Sequence, residues 1–259
     1  MKKVLILGCG WVAEDLATKL LADGHQVWAT TTQEEKASRL YDLGINAIRV
    51  NFDTDNDLPS IPVSFDYVLT SVPASSKIDL QQTKARFENV KAYLQRINYT
   101  KNIYLSSIGV YPNIDYIFDE DYDDIMNERL IVAEDIMLSL DSTVIYRLGG
   151  LFGKNRIFAK YFENRICTTG DQLSNFVHVD DVVQLICQGF QVDLKCTIYN
   201  IVAPLHPKKK DVIIASAMKH GYQVPLAWEP NDSFQKLVHG TRITQELDYS
   251  FLYADPLLF

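Results

Sequence analysis

The chain has 259 residues, 47% of them hydrophobic and 22% charged, a size and composition that suit one large globular domain or a domain with a modest subdomain. A formal net charge of −8 argues against nucleic acid or an anionic membrane surface as the main partner. No apolar run approaches the ~18 residues that a bilayer span requires. Lys2–Leu7 runs straight into Gly8-Cys9-Gly10-Trp11-Val12-Ala13. The pattern predicts a strand over Val4–Leu7, a tight glycine turn, and a helix over Val12–Leu21 closed by Gly24. Next come a strand over Gln26–Thr30, a helix over Glu34–Leu43 closed by Gly44, and strands over Ala47–Val50 and Tyr67–Ser71. A long helix over Leu80–Ile97, a strand over Ile103–Leu105, a helix over Ile131–Leu140 and a strand over Thr143–Leu148 complete the alternation. Apolar strands alternating with helices imply an α/β chain of the Rossmann type: a doubly wound parallel sheet with ligands at the carboxyl ends of its strands.

After Gly149-Gly150-Leu151-Phe152-Gly153 the alternation loosens, with helices expected over Val182–Phe190 and Asp211–Gly221 and a strand over Thr197–Ile201. The expected division is a dinucleotide-binding domain over 1–150 and a small substrate-side portion over 151–259, woven in by strands that return to the main sheet. Lys208-Lys209-Lys210 reads as a solvated helix entry. Cys9, Cys167, Cys187 and Cys196 form no CxxC pair. Their spacing suggests a reducing, cytoplasmic setting with no metal site. The absence of a charged-then-apolar leader before the first strand points the same way.

The spacing Gly8-x-Gly10-x-x-Ala13 carries a specific chemistry. Glycines allow a sharp turn and close approach to a pyrophosphate, amides at the helix start (Trp11, Val12) attract the anion, and Ala13 packs helix on strand.

Several stretches in order resemble the extended branch of the short-chain dehydrogenase/reductase superfamily, the NAD(P)-dependent sugar-nucleotide epimerases and dehydratases. They are the glycine motif, Asp53, Leu105-Ser106-Ser107-Ile108-Gly109-Val110-Tyr111, and Tyr146-Arg147-Leu148-Gly149-Gly150-Leu151-Phe152-Gly153. Phe176-Val177-His178-Val179-Asp180-Asp181-Val182, Tyr199-Asn200-Ile201 and Arg242-Ile243-Thr244-Gln245-Glu246-Leu247 follow. The shorter glycine motif is similar to that of the compact, atypical YeeZ-like members, where typical members carry the longer Gly-x-x-Gly-x-x-Gly.

An acid that clasps the ribose 2′-hydroxyl of NAD belongs ~20 residues past the glycine motif, where this chain reads Ala29-Thr30-Thr31-Thr32. The hydroxyls of Thr31 and Thr32 can bind a 2′-hydroxyl or a 2′-phosphate. Lys36 and Arg39 either neutralise that phosphate or face solvent. The expected cofactor is NADP or NAD, with NADP favoured. The resemblance makes Asp53 the acceptor for the adenine amino group, a turn-forming Asp being the alternative. It sets Ser71, Val72 and Pro73 against the adenosine ribose and makes Ser107 the hydroxyl that bonds the reacting oxygen. Ser106 falls on the opposite face of the strand, among the cofactor-binding residues. A strand-end hydroxyl that ties down the next turn is the other reading of Ser107. Leu148, Gly149, Gly150 and His178 fall on the substrate side, and Asp180 is placed to cap the following helix.

The family's proton relay is Tyr-x-x-x-Lys on the helix after the fifth strand. Aligned on Glu134, the lysine position holds Leu130 and the tyrosine position Met126; a one-residue slip offers Arg129 and Ile125. Tyr111, Tyr116 and Tyr122 have no lysine four residues on. The dyad is absent, leaving Tyr111 or Tyr116 as candidate relays. Asp115–Asp124, dense in acid, reads as a solvated loop. Three functions remain open: an oxidoreductase or epimerase/dehydratase on a small polar or sugar-like substrate, a catalytically silent NAD(P)-binding sensor, and an interaction scaffold with a vestigial glycine turn. Apolar stripes on Leu80–Ile97 and Ile131–Leu140 would permit a homodimer and equally suit a buried helix face.

Overall fold

The computed structural model describes residues 1–54, 61–74 and 78–259. β1 (Lys3–Leu7), α1 (Trp11–Ala22), β2 (Gln26–Thr31), α2 (Glu34–Asp42), β3 (Asn46–Arg49), β4 (Tyr67–Thr70), α3 (Leu80–Leu94) and β5 (Lys101–Ser107) follow one another in regular alternation. Then come β6 (Tyr116–Phe118), α4 (Glu128–Leu138), β7 (Thr143–Leu148), β8 (Gly150–Phe152), β9 (Ile166–Cys167), β10 (Phe176–His178) and α5 (Val179–Gln191). β11 (Ile198–Ile201), α6 (Lys209–His220), β12 (Ala227–Trp228), β13 (Lys236–Val238) and α7 (Thr241–Leu247) complete the chain.

The central sheet has seven parallel strands in the order β11-β7-β5-β4-β1-β2-β3. This is the doubly wound Rossmann-like architecture expected, with the order reversing between β1 and β4. The backbone divides into two compact units. One comprises Met1–Val110, Met126–Tyr146 and Ile186–Ile198; the other comprises Tyr111–Ile125, Arg147–Leu185 and Tyr199–Phe259.

In the first unit, α1 buries Val12, Ala13, Leu16, Ala17 and Leu20, the face that its apolar spacing defines. α3 is capped by Asp79, whose carboxylate accepts from the Gln82 amide at 2.8 Å. It ends at Leu94, three residues before the expected end, because the chain turns there and the Asn98 amide donates to the Val63 carbonyl. α4 starts at Glu128 behind an Asn127 cap, three residues earlier than its apolar pattern suggests. The stripes of α3 and α4 face inward: Phe87, Val90, Tyr93, Leu94, Ala133, Ile136 and Met137 join Leu5, Leu7, Val68 and Tyr104 in one core. Through the sheet runs a buried polar chain, in which the Thr70 hydroxyl donates to Asn102 Oδ1 at 2.9 Å and Asn102 Nδ2 donates to Thr143 at 3.2 Å.

In the second unit, β8 pairs with β10, β9 with β12, and β6 with β13. Phe152, Phe158 and Val212 form its apolar centre with Phe176, Tyr253, Leu257 and Phe259 around them. α5 begins at Val179, so Asp180 lies within its first turn and is not its cap. That role falls to His178, whose Nδ1 accepts from the Asp180 amide at 3.1 Å. Asp181 is fully buried, and its carboxylate accepts from the Tyr249 hydroxyl and Leu252 amide, both at 2.7 Å, and from the Tyr253 amide at 3.1 Å. The lysine run does open α6, yet its members have partners: Lys208 pairs with Asp171 at 3.3 Å and Lys210 lies over the Trp228 ring. Among the described residues no helix is long and apolar enough to cross a membrane, and no group of His, Cys, Asp and Glu could hold a metal ion.

Removing a buried carboxylate strands the donors it satisfied. Asp181→Ala is therefore expected to destabilise the protein by about 3 kcal/mol in urea unfolding, with new protease sensitivity over 249–259.

Candidate functional site

The turn after β1 is built for close approach. Gly8 has φ +80°, and a Cβ there would lie 3.0 Å from the Ser71 carbonyl oxygen and 3.1 Å from the Val72 nitrogen. The Gly8 amide donates to Thr30 Oγ1 at 2.8 Å and the Cys9 amide to the Thr30 carbonyl at 2.7 Å. Ser71 donates its amide to the Leu7 carbonyl at 2.7 Å, so the ends of β1, β2 and β4 converge on the glycine. Gly10 opens α1 with no side-chain cap, and a Cβ there would meet nothing nearer than the Gly8 oxygen at 4.0 Å. Among the described residues the space beside Gly10 at the start of α1 is therefore open, the arrangement an anion needs. Cys9 is buried and its thiol is pushed up to about 11, chiefly by desolvation. It therefore stays protonated and inert at neutral pH.

Thr31 is buried, with its Oγ1 accepting from the Gln33 amide at 3.4 Å, and Thr32 is exposed. Lys36 and Arg39 both reach Glu14 on α1. Arg39 is bidentate at 2.5 and 2.9 Å and Lys36 lies at 3.2 Å. The Arg39 hydrogen bonds lead the effects that hold the Glu14 carboxyl below the usual carboxylate range.

Asp53 gives both oxygens to Arg86, at 2.6 Å each, and Arg86 also donates to the Pro73 carbonyl at 2.8 Å. That guanidinium holds the Asp53 carboxyl low. Arg86, on α3, carries no motif signal and was missed from the sequence; it joins the Asp53 turn to the loop after β4. At the end of β5 the Ser106 hydroxyl donates to the buried Glu134 at 2.5 Å, and Ser107 Oγ accepts from the Gly109 amide at 3.0 Å. Ser107 is only half-buried, and among the described residues its O–H has no acceptor. Met126 precedes α4, whereas Leu130 lies in its first turn beside Gly109, whose added Cβ would sit 3.6 Å from Leu130 Cδ1.

The second unit encloses a polar network centred on Tyr111, which is 2% exposed. Its oxygen accepts from Arg147 Nη1 at 3.0 Å, while Asn200 Oδ1 and the Asp119 carbonyl, each 2.9 Å away, share its proton. Burial outweighs Arg147 and raises the phenol pKa. The hydroxyl of this candidate relay is therefore buried and hydrogen-bonded to three groups. Tyr116, the other, is half-exposed on β6. The acidic stretch keeps Asp115, Asp119, Asp121, Asp123 and Asp124 exposed, as a solvated loop would, while its strand and Glu120 are held by partners. β6 pairs with β13, and Glu120 accepts from the Asn200 amide at 2.8 Å with Arg242 at 3.6 Å. Desolvation raises the Glu120 carboxyl. Leu148, Gly149, Gly150 and His178 are taken up in packing. Gly149 and Gly150 lie against the Asn175 carbonyl and the Phe176 ring, while the His178 imidazole stacks on Tyr253 with ring centroids 3.6 Å apart.

No family model matches the sequence. Protein YeeZ of Escherichia coli K12 is 28% identical over 276 aligned positions, spanning 100% of this chain and 98% of YeeZ. The chain is YeeZ-like along its whole length. A conserved protein of unknown function from Silicibacter pomeroyi superposes with a TM-score of 0.81 at 20% identity, covering 100% of this chain and 96% of that one. UDP-glucuronic acid 4-epimerase from Bacillus cereus, solved with UDP-glucuronic acid and NAD, gives a TM-score of 0.73 at 16% identity, covering 99% and 96%. Both likenesses establish the fold.

Lys236 supplies a titration test of the second unit. It is 8% exposed, its ammonium donates to the Tyr111 carbonyl at 2.8 Å, and burial lowers its pKa from 10.5 to about 8. Between those two values the unfolded chain binds more protons, so this group makes stability rise with pH. Relative to Lys236→Met, the parent should gain roughly 1–2 kcal/mol between pH 8 and 10.5 in denaturant titrations. Referring to the variant cancels the opposing effect of the Cys9 and Cys187 thiols, both raised to about 11.

Proposed function

We propose that the chain binds a nicotinamide dinucleotide, NADP in preference to NAD, across the β1–α1 turn. The observation that carries this reading is the space left open beside Gly10 by the described residues, at a helix start without a side-chain cap, next to a Gly8 that admits no side chain. Gly8, Gly10 and the Trp11 and Val12 amides would receive the pyrophosphate. The Ser71–Pro73 backbone, braced by Asp53 through Arg86, would line the adenosine ribose. Thr31 and Thr32, with Lys36 and Arg39 beyond them, stand where a 2′-substituent would be read, and no acid at the end of β2 opposes a phosphate. Ser106 and Ser107 mark the nicotinamide end. When bound, the dinucleotide would supply hydride exchange at its nicotinamide ring. The other partner is a small polar or sugar-like molecule, in a reducing cytoplasmic setting that suits four free cysteines.

The chain's own residues favour binding over chemistry of the family type. α4 begins only after Met126, Leu130 occupies the lysine position, and Tyr111 is buried with a raised pKa. This supports a silent sensor of the dinucleotide. The half-exposed Ser107, with an O–H still free to orient a substrate oxygen, supports an oxidoreductase or epimerase/dehydratase acting without the usual dyad.

Fluorescence titration with NADPH and NADH tests the proposal. The parent should bind NADPH the more tightly, and Gly10→Asp should weaken both by more than about a hundredfold, since it adds bulk and negative charge at the pyrophosphate site. Thr31→Asp/Thr32→Asp should weaken NADPH about tenfold more than NADH. Absence of binding to either nucleotide at millimolar concentration would refute the reading, and equal losses in the threonine variant would refute the preference for NADP.

A further inference from the structure

Glu14, Lys36 and Arg39 form a charge cluster on the first unit that the dinucleotide cradle does not itself require. Glu14 lies in the first turn of α1, with its amide bonded to the Gly10 carbonyl at 3.0 Å. Its side chain is 24% exposed and takes both donors of the Arg39 fork as well as the Lys36 ammonium. All three charges act on the Cys9 thiol, which sets the cluster within electrostatic reach of the glycine turn. The end of β2, Ala29-Thr30-Thr31-Thr32, offers no acid of its own. Among the described residues the carboxylate that meets the two cations therefore comes from α1.

We propose that Glu14 is a specificity-determining counter-charge: it occupies the cations that a 2′-phosphate would use, and so limits the preference for phosphorylated dinucleotide. The inference rests on the dinucleotide-binding reading above. A phosphate monoester and a carboxylate both match the guanidinium fork bidentately, so they compete for Arg39. With Glu14 ionised the cluster carries a net single positive charge; with glutamine there it carries two. NAD, whose ribose bears a neutral 2′-hydroxyl, does not enter this competition. Glutamine keeps the size of Glu14 and an oxygen that can accept from Arg39, so the variant isolates the charge.

Isothermal calorimetry with NADPH, NADH, adenosine 2′,5′-bisphosphate and AMP reads the effect directly, without any turnover. Glu14→Gln should tighten NADPH and adenosine 2′,5′-bisphosphate about fivefold, the scale of one partly exposed charge pair, and leave NADH and AMP within about twofold. Arg39→Gln should do the reverse, weakening only the two 2′-phosphorylated ligands. Glu14→Gln shifting NADPH and NADH alike, or weakening NADPH, overturns the inference. So does an Arg39→Gln variant that does not discriminate between the ligands. Parent protein that binds NADH but no 2′-phosphorylated ligand also overturns it while leaving the dinucleotide site standing; binding of none of the four removes the underlying reading instead.

Discussion

A single backbone contact sets the geometry of the first unit: the Gly8 α-carbon against the Ser71 carbonyl. At φ +80° Gly8 lets β1 turn out of the sheet at the point where strand order reverses, and no side chain fits between it and the end of β4. Thr30 then closes the turn from β2 with its hydroxyl and carbonyl. The open position at Gly10 goes with this turn: the helix begins directly from it, and among the described residues a Cβ on Gly10 would meet nothing nearer than the Gly8 oxygen at 4.0 Å. Behind the turn, the Thr70–Asn102–Thr143 chain ties neighbouring strands through groups that would be costly to bury singly.

Charge management is the second theme. Partly exposed acids in the first unit are neutralised by arginine forks: Glu14 by Arg39, Asp53 by Arg86. In the second unit three charges are buried and depend largely on backbone partners. Asp181 gathers two amides and a phenol, Glu120 takes the Asn200 amide, and Lys236 reaches the Tyr111 carbonyl. Burial without full compensation leaves Glu120 raised and Lys236 lowered. The acidity of the chain is thus partly internal, and within 115–124 it is Phe118 and Glu120 that turn into the second unit while the other acids stay exposed.

Features that depend on contiguous residues were legible. The strand–glycine–helix order of residues 3 to 22 and the alternation through β7 follow from spacing and periodicity. Element ends were less so, because tertiary bonds decide them: α3 stops where Asn98 turns toward Val63, and α5 starts early because His178 caps it. Side-chain roles set by distant partners were not legible. Arg86 meets Asp53 across 33 positions, Tyr111 meets Asn200 across 89, and Asp181 meets Tyr249 across 68. Nothing local marks such pairs, since each partner has its own ordinary explanation as a helix or loop residue.

The sequence by itself determined the fold class and the glycine turn after β1, because each is a local pattern with a direct steric meaning. Only the tertiary structure decided how polar side chains are spent. It turned Tyr111 and His178 into buried supports, tied Asp53 to Arg86, and set Glu14 against Lys36 and Arg39. Those outcomes depend on which groups burial brings together and which charges must then be matched, and no spacing along the chain encodes that.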